Sequence, residues 1–217
     1  VVSPERLDLM QRSWVNLLAP FGVTPATAYP AFDTLVEAYS EPHRHYHNLE
    51  HVGEVMRVVG RLKGGPAVML AVWYHDAVYD PKAKDSNNER MSADLAEREL
   101  AALGLPVEVV KLVGDLVRST AHFDAATFNG PDFDILHDAD LAILGAIEAR
   151  YARYADDIRK EYAWVPEADY RAGRRKVLES FLARERIYRT DVMFAEGEEA
   201  ARRNMTAEVS SLSSGAG

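Results

Sequence analysis

"PAVMLAVWYHDAVY", Pro66 to Tyr79, decides the fold. Its first half is apolar on every side, which marks a helix buried all round rather than one lying on a surface. The apolar run Ala67 to Tyr74 is far too short to span a bilayer. A fully buried helix needs other helices around it, and the flanking sequence supplies them. "SPERLDLMQRSWVNLL" and "TPATAYPAFDTLVEAY" each open on a hydroxyl N-cap followed by proline, with Pro30 expected to kink or delay the second. A helix is expected from about His47 to Lys63, ending at Gly64-Gly65. Another, "SNNERMSADLAERELAALG", ends on Gly104 as a C′ residue. "PVEVVKLVGDLVRST" opens on Pro106. A long helix is expected from about Asp138 through Ile158, and two more from Glu167 to Glu208, separated near Thr190. The longest loop is Phe123 to Asp134. No alternating strand pattern or hairpin dipeptide appears. The expectation is one all-α domain over residues 1–210 and a flexible tail over 211–217, whose "SSLSSGAG" ending is small and polar.

Composition narrows the function classes. The chain has 217 residues, 47% hydrophobic and 27% charged, the balance of an ordinary globular protein. A net charge of −9 argues against a nucleic-acid-binding surface. It does not exclude a small anionic ligand, because one metal ion inverts the local field. With no cysteine there are no disulfides, thiolate metal sites or cysteine nucleophiles, so any metal must use imidazole and carboxylate. The start "VVSPERLDLM" carries charge where a signal peptide is apolar, so a cytoplasmic location with no membrane partner is expected.

His75 and Asp76 end the buried helix, so both are expected near the core, where a charge needs a partner or a metal. His51 shares a helical face with Val55, Val58 and Leu62 and points inward as well. His47 precedes it by one turn on the same face if the helix has begun there. On the expected long helix, Asp140 shares a face with Leu144, Ile147, Tyr151 and Tyr154, while Asp138 reads as the N-cap. His51, His75, Asp76 and Asp140 form a mixed nitrogen and oxygen ligand set. Each has a plain alternative as a hydrogen-bonded core residue. Together, that alternative leaves several buried charges without counterions.

In this order, His51, the His75-Asp76 pair and Asp140 of "DADL" resemble the HD-domain superfamily of metal-dependent phosphohydrolases. "YHNLEH" is similar to the "YHNxxH" signature of the cyclic-nucleotide phosphodiesterases, which share that helical core. The whole pattern, with "NNERMSA" and "RRKVLESFLARERIYRT", is similar to a bacterial group of predicted HD-superfamily phosphohydrolases, a resemblance that covers roughly Tyr39 to Asn204. It implies an HD-type helical bundle, with His51 as a metal ligand and His47 as the general acid toward the leaving oxygen. Arg44 and His47 also fit an "RxxH" in which the histidine is the ligand, so His47 stays open as the first ligand. Tyr79 stands where the phosphodiesterases have another histidine. Only His122 and His137 lie between the pair and Asp140, so one divalent ion per chain is expected: Mn, Mg, Fe, Ni, Co or Zn.

Around this set, Glu89 reads either as the acid of a capping box with Ser86 or as a carboxylate orienting the attacking water. Asp80 reads as a turn residue before Pro81 or as a base. Arg44, Lys84 and Arg90 are expected to hold a phosphate, with the alternative of solvated surface charges. His122 is expected to line the site. The expected activity is hydrolysis of a nucleotide or other small phosphate ester or pyrophosphate. The competing readings are a catalytically silent metal- or nucleotide-binding regulatory module and an HD-fold iron oxygenase. A homodimer is left open.

Overall fold

The structure, a computed structural model, describes residues 2–83, 87–121 and 128–214. The described residues are all-helical, with no strand among them. The helices are α1 (Pro4–Leu18), α2 (Pro25–Tyr39), α3 (Leu49–Arg61), α4 (Pro66–Tyr74), α5 (Asn87–Ala102), α6 (Val107–Ser119), α7 (Pro131–Asp140), α8 (Glu148–Glu161), α9 (Glu167–Leu182) and α10 (Asp191–Ser214). Short 3-10 segments cover Ala19–Phe21 and Leu141–Gly145. The chain forms two compact units, Val1–Leu136 and His137–Gly217. No described helix is long and apolar enough to cross a membrane.

In the first unit the local signals act as their chemistry requires. The Ser3 hydroxyl accepts from Arg6 N and the Thr24 hydroxyl from Thr27 N, each with proline at the helix start. α2 runs through Pro30 without delay or break, because the proline falls early in the helix and displaces only one backbone donor. Past α5, Gly104 takes φ 80°, its N–H bonds Ala101 O, and Leu105 N bonds Leu100 O, the paired bonds of a Schellman ending. α4 packs against α1, α3, α5 and α6. Val68 and the run Leu70 to Tyr74 are completely buried. Trp73 meets Trp14 and Phe32 edge to face, at 5.6 and 5.7 Å between ring centres.

The second unit departs from the expected continuous helix over Asp138–Ile158. α7 ends at Asp140, the chain passes through the 3-10 segment, Ala146 and Ile147 are extended, and α8 begins at Glu148. The carbonyls that a continuous helix would use internally are taken by side chains instead. Asn204 Nδ2 donates to Leu144 O and Ala146 O at 2.8 Å, and Tyr188 Oη donates to Leu141 O at 3.1 Å. Gly145 lies so close to Gly197 of α10 that a Cβ on it would stand 2.9 Å from the Gly197 carbonyl oxygen. The stripe expected to run from Asp140 through Ile147 is therefore not one face, and Ile147 is 78% exposed.

Asp138 is not an N-cap of its own helix. It sits inside α7, fully buried, and accepts from Arg189 N and Thr190 N at 2.7 Å and from the Thr190 hydroxyl at 2.6 Å. Thr190 caps α10 in turn, its hydroxyl accepting from Met193 N. Glu198 secures the same loop by accepting from Ile187 N and Tyr188 N. α10 continues through Ser214, into the stretch expected to be tail, with Arg171 donating to Ser211 O and Leu212 O. Asp138→Ala leaves two backbone donors and a hydroxyl without their acceptor, so it should lower the unfolding free energy by about 3 kcal/mol or more. Denaturant titration checks this; a loss under about 1 kcal/mol contradicts the bracing role.

Candidate metal centre

α4 ends at Tyr74, and the next two residues are His75 and Asp76. A helix end leaves its last carbonyls without helical partners. Here side chains and a turn take them. His75 Nδ1 donates to Val72 O at 2.9 Å, Tyr39 Oη to Trp73 O at 3.1 Å, and Ala77 N to Tyr74 O at 3.0 Å. The first of these bonds matters for chemistry. With its proton on Nδ1, neutral His75 presents the Nε2 lone pair, the tautomer that a metal-binding imidazole needs.

His51 comes from the first turn of α3, where Asn48 is the N-cap and accepts from Glu50 N at 2.8 Å. The buried face of α3 is Leu49, His51, Val52, Val55 and Val59; Val58 and Leu62 flank it. Packing of α3 on α4 brings His51 Nε2 to 3.0 Å from His75 Nε2. Asp76 Oδ2 lies 3.1 Å from His75 Nε2 and 3.6 Å from His51 Nε2. Donors bound to one ion at about 2.1 Å are about 3.0 Å apart at right angles and about 3.4 Å apart in a tetrahedron. The three spacings cover that range, so His51, His75 and Asp76 fit a single divalent ion. Their mixed nitrogen and oxygen chemistry admits Mn, Fe, Co, Ni or Zn, and Mg less readily because of the two imidazoles.

Electrostatics agree with the geometry. Burial pushes the Asp76 carboxyl up, but the positive charge that the His75, His47 and His51 imidazoles carry when protonated, with the His75 hydrogen bond, outweighs it. They hold the carboxyl well below the usual carboxylate range. Asp76 therefore stays anionic and ready to bind a cation.

His47 precedes the N-cap and is not part of α3, which starts at Leu49 rather than near His47. It reaches the centre from a turn. Its ring lies 5.8 Å from that of His51 and stacks on Tyr79 at 4.4 Å. His45 is exposed. His43 donates from Nε2 to Tyr79 O at 2.9 Å.

The other expected site residues lie as follows. Arg44 is not placed to hold a phosphate: its side chain is fully buried and its guanidinium is committed to Glu41, His47 O, Asp76 O and Ala77 O. The Asp80 carboxylate accepts from Lys82 N at 2.9 Å, the turn role that was its alternative. Arg90 is exposed and pairs along its own helix with Asn87 and Asp94. Glu89 is half-buried in the first turn of α5. Asp140 ends α7, partly exposed, and belongs to the second unit. His137 lies in that unit too. Burial lowers its pKa against the opposing hydrogen bond to Asp138, and Arg189 and Arg184 push the same way as burial, which keeps it neutral. His122, Lys84 and Ser86 lie outside the described residues.

Three contributors were not among the expected site residues: Tyr39, whose hydroxyl also accepts from Asp76 N at 3.3 Å; Ser92, whose hydroxyl bonds both Val78 N and Val78 O; and Asn88, which bonds both Asp80 N and Asp80 O. No family model, curated protein or solved structure matches this chain.

Protein purified without a histidine tag should carry a divalent metal in near-stoichiometric amount by elemental analysis. His51→Ala, His75→Ala and Asp76→Ala should lose it, and His45→Ala should keep it. Retention in both His51→Ala and His75→Ala contradicts the assignment. Loss in His47→Ala with retention in His51→Ala transfers the first ligand to His47.

Proposed function

We propose that this chain is a metal-dependent phosphohydrolase acting on a nucleotide or another small phosphate ester or pyrophosphate. The observation that carries the reading is the convergence of His51, His75 and Asp76 donor atoms with the His47 ring alongside. The three protein donors found among the described residues are the number that catalytic metal sites use, with positions left for other ligands. A divalent ion bound there supplies Lewis-acid polarisation of a phosphoryl oxygen and lowers the pKa of a bound water.

The chain's own residues have separable roles. His51 and His75 hold the ion through neutral imidazoles, and the Val72 carbonyl fixes the His75 ring. Asp76 supplies negative charge. His47 is partly exposed, stacked on Tyr79, and donates the proton to the leaving oxygen. Glu89 orients the attacking water. The resemblance of "YHNLEH" and "YHDAVYD" to the HD superfamily supports these roles. One observation favours the silent regulatory module: His51 and His75 are only 2% and 1% exposed, as structural ligands are.

A panel of p-nitrophenyl phosphate, bis-p-nitrophenyl phosphate and nucleoside mono-, di- and triphosphates, with Mn²⁺, Mg²⁺, Co²⁺ or Ni²⁺, separates the two. Wild type should turn over at least one class. His47→Gln should keep its metal and lose roughly a hundredfold or more in kcat. A metal-loaded wild type that cleaves nothing across the panel gives the silent reading.

A further inference from the structure

Arg44 carries a fully buried guanidinium beside the metal centre and is bonded to the centre through backbone. Nη1 donates both to His47 O at 3.1 Å and to Asp76 O at 2.6 Å. Nη2 donates to Ala77 O at 3.0 Å, and Nε to Glu41 Oε2 at 2.9 Å. The group lies 5.1 Å from the Tyr39 ring centre and 5.4 Å from that of Tyr79, the ring on which His47 stacks. A single terminal nitrogen thus joins the backbone of the proton donor His47 to that of the ligand Asp76, although the two are far apart in sequence.

We propose that Arg44 is a positioning residue of the metal centre, fixing the His47 turn against the His75-Asp76 turn so that donor and ligands share one geometry. The proposal rests on the metal reading given above. Only a planar fork with several donors can serve three carbonyls and a carboxylate from one point. A lysine ammonium offers three donors at a single centre and cannot span them. The Glu41 carboxylate balances the charge, so the guanidinium acts on geometry and not as a cation aimed at substrate.

The test compares wild type, Arg44→Lys and Arg44→Met by circular dichroism, by Co²⁺ titration followed in visible absorption, and by Mn²⁺ titration followed by electron paramagnetic resonance. Both variants should stay helical. The Co²⁺ Kd should rise roughly ten- to a hundredfold, as for other residues that orient metal ligands. The Co²⁺ spectrum at saturation should change shape, which a loss of stability alone does not cause. The sign is decisive. Removing a nearby cation by charge alone would tighten dication binding in Arg44→Met and leave Arg44→Lys unchanged. Loss of positioning weakens both. If Arg44→Met does not fold, Arg44→Lys decides. Unchanged or tighter Co²⁺ binding with an unchanged spectrum overturns the proposal. So does loss of helical structure in both variants, which makes Arg44 a folding residue. A wild type that binds neither Co²⁺ nor Mn²⁺ overturns the metal reading, and this proposal with it.

Discussion

Everything at the centre depends on how α4 ends. A helix that stops inside a protein leaves carbonyls with no water and no helical partner, and each one unmatched costs about 1–3 kcal/mol. Between Val72 and Asp80 distant side chains meet most of them: Tyr39 at Trp73 O, Arg44 at Asp76 O and Ala77 O, Ser92 at Val78 O, His43 at Tyr79 O and Asn88 at Asp80 O. The donors come from α2, from the turn before α3 and from α5. The packing that buries α4 also delivers them. The ligand geometry of His75 and Asp76 is thus a consequence of satisfying the backbone around them.

The first unit holds two nearby elements that were legible at different depths. α4 could be read because its apolar residues leave no polar face, and only a buried helix suits that pattern. The inward phase of His51 and the adjacency of His75 to Asp76 are local properties, so a one-dimensional reading reaches them. Arg44 could not be read. Its carbonyl partners at Asp76 and Ala77 are 32 and 33 residues away, and an arginine among polar neighbours looks like a solvated charge. The break after α7 was hidden for a related reason. Its causes are the Asn204 and Tyr188 side chains, while the apolar spacing Leu144, Tyr151, Tyr154 runs on in helical phase across the 3-10 and extended residues.

The chain contains two adjacent His-Asp pairs, and their difference shows what separates a ligand pair from an architectural one. In His137-Asp138, Nδ1 faces its own aspartate at 2.8 Å, and that carboxylate is filled by backbone donors at the start of α10. In His75-Asp76, Nδ1 is turned to a carbonyl, and Nε2 shares its space with a carboxylate oxygen and a second imidazole nitrogen. Residue type is the same in both and both histidines are buried, although the Asp76 side chain keeps 18% exposure and that of Asp138 none. The partner of Nδ1 tells them apart, and a sequence does not record it.

The metal reading requires His51, His75 and Asp76 to bind one ion together. Anomalous diffraction from crystals of Co²⁺-loaded protein tests it most directly. One strong peak is expected within about 2.1 Å of His51 Nε2, His75 Nε2 and an Asp76 carboxylate oxygen. A peak bound elsewhere on the chain, or a loaded crystal with His51 Nε2 and His75 Nε2 bonded to each other and no ion between them, would contradict it.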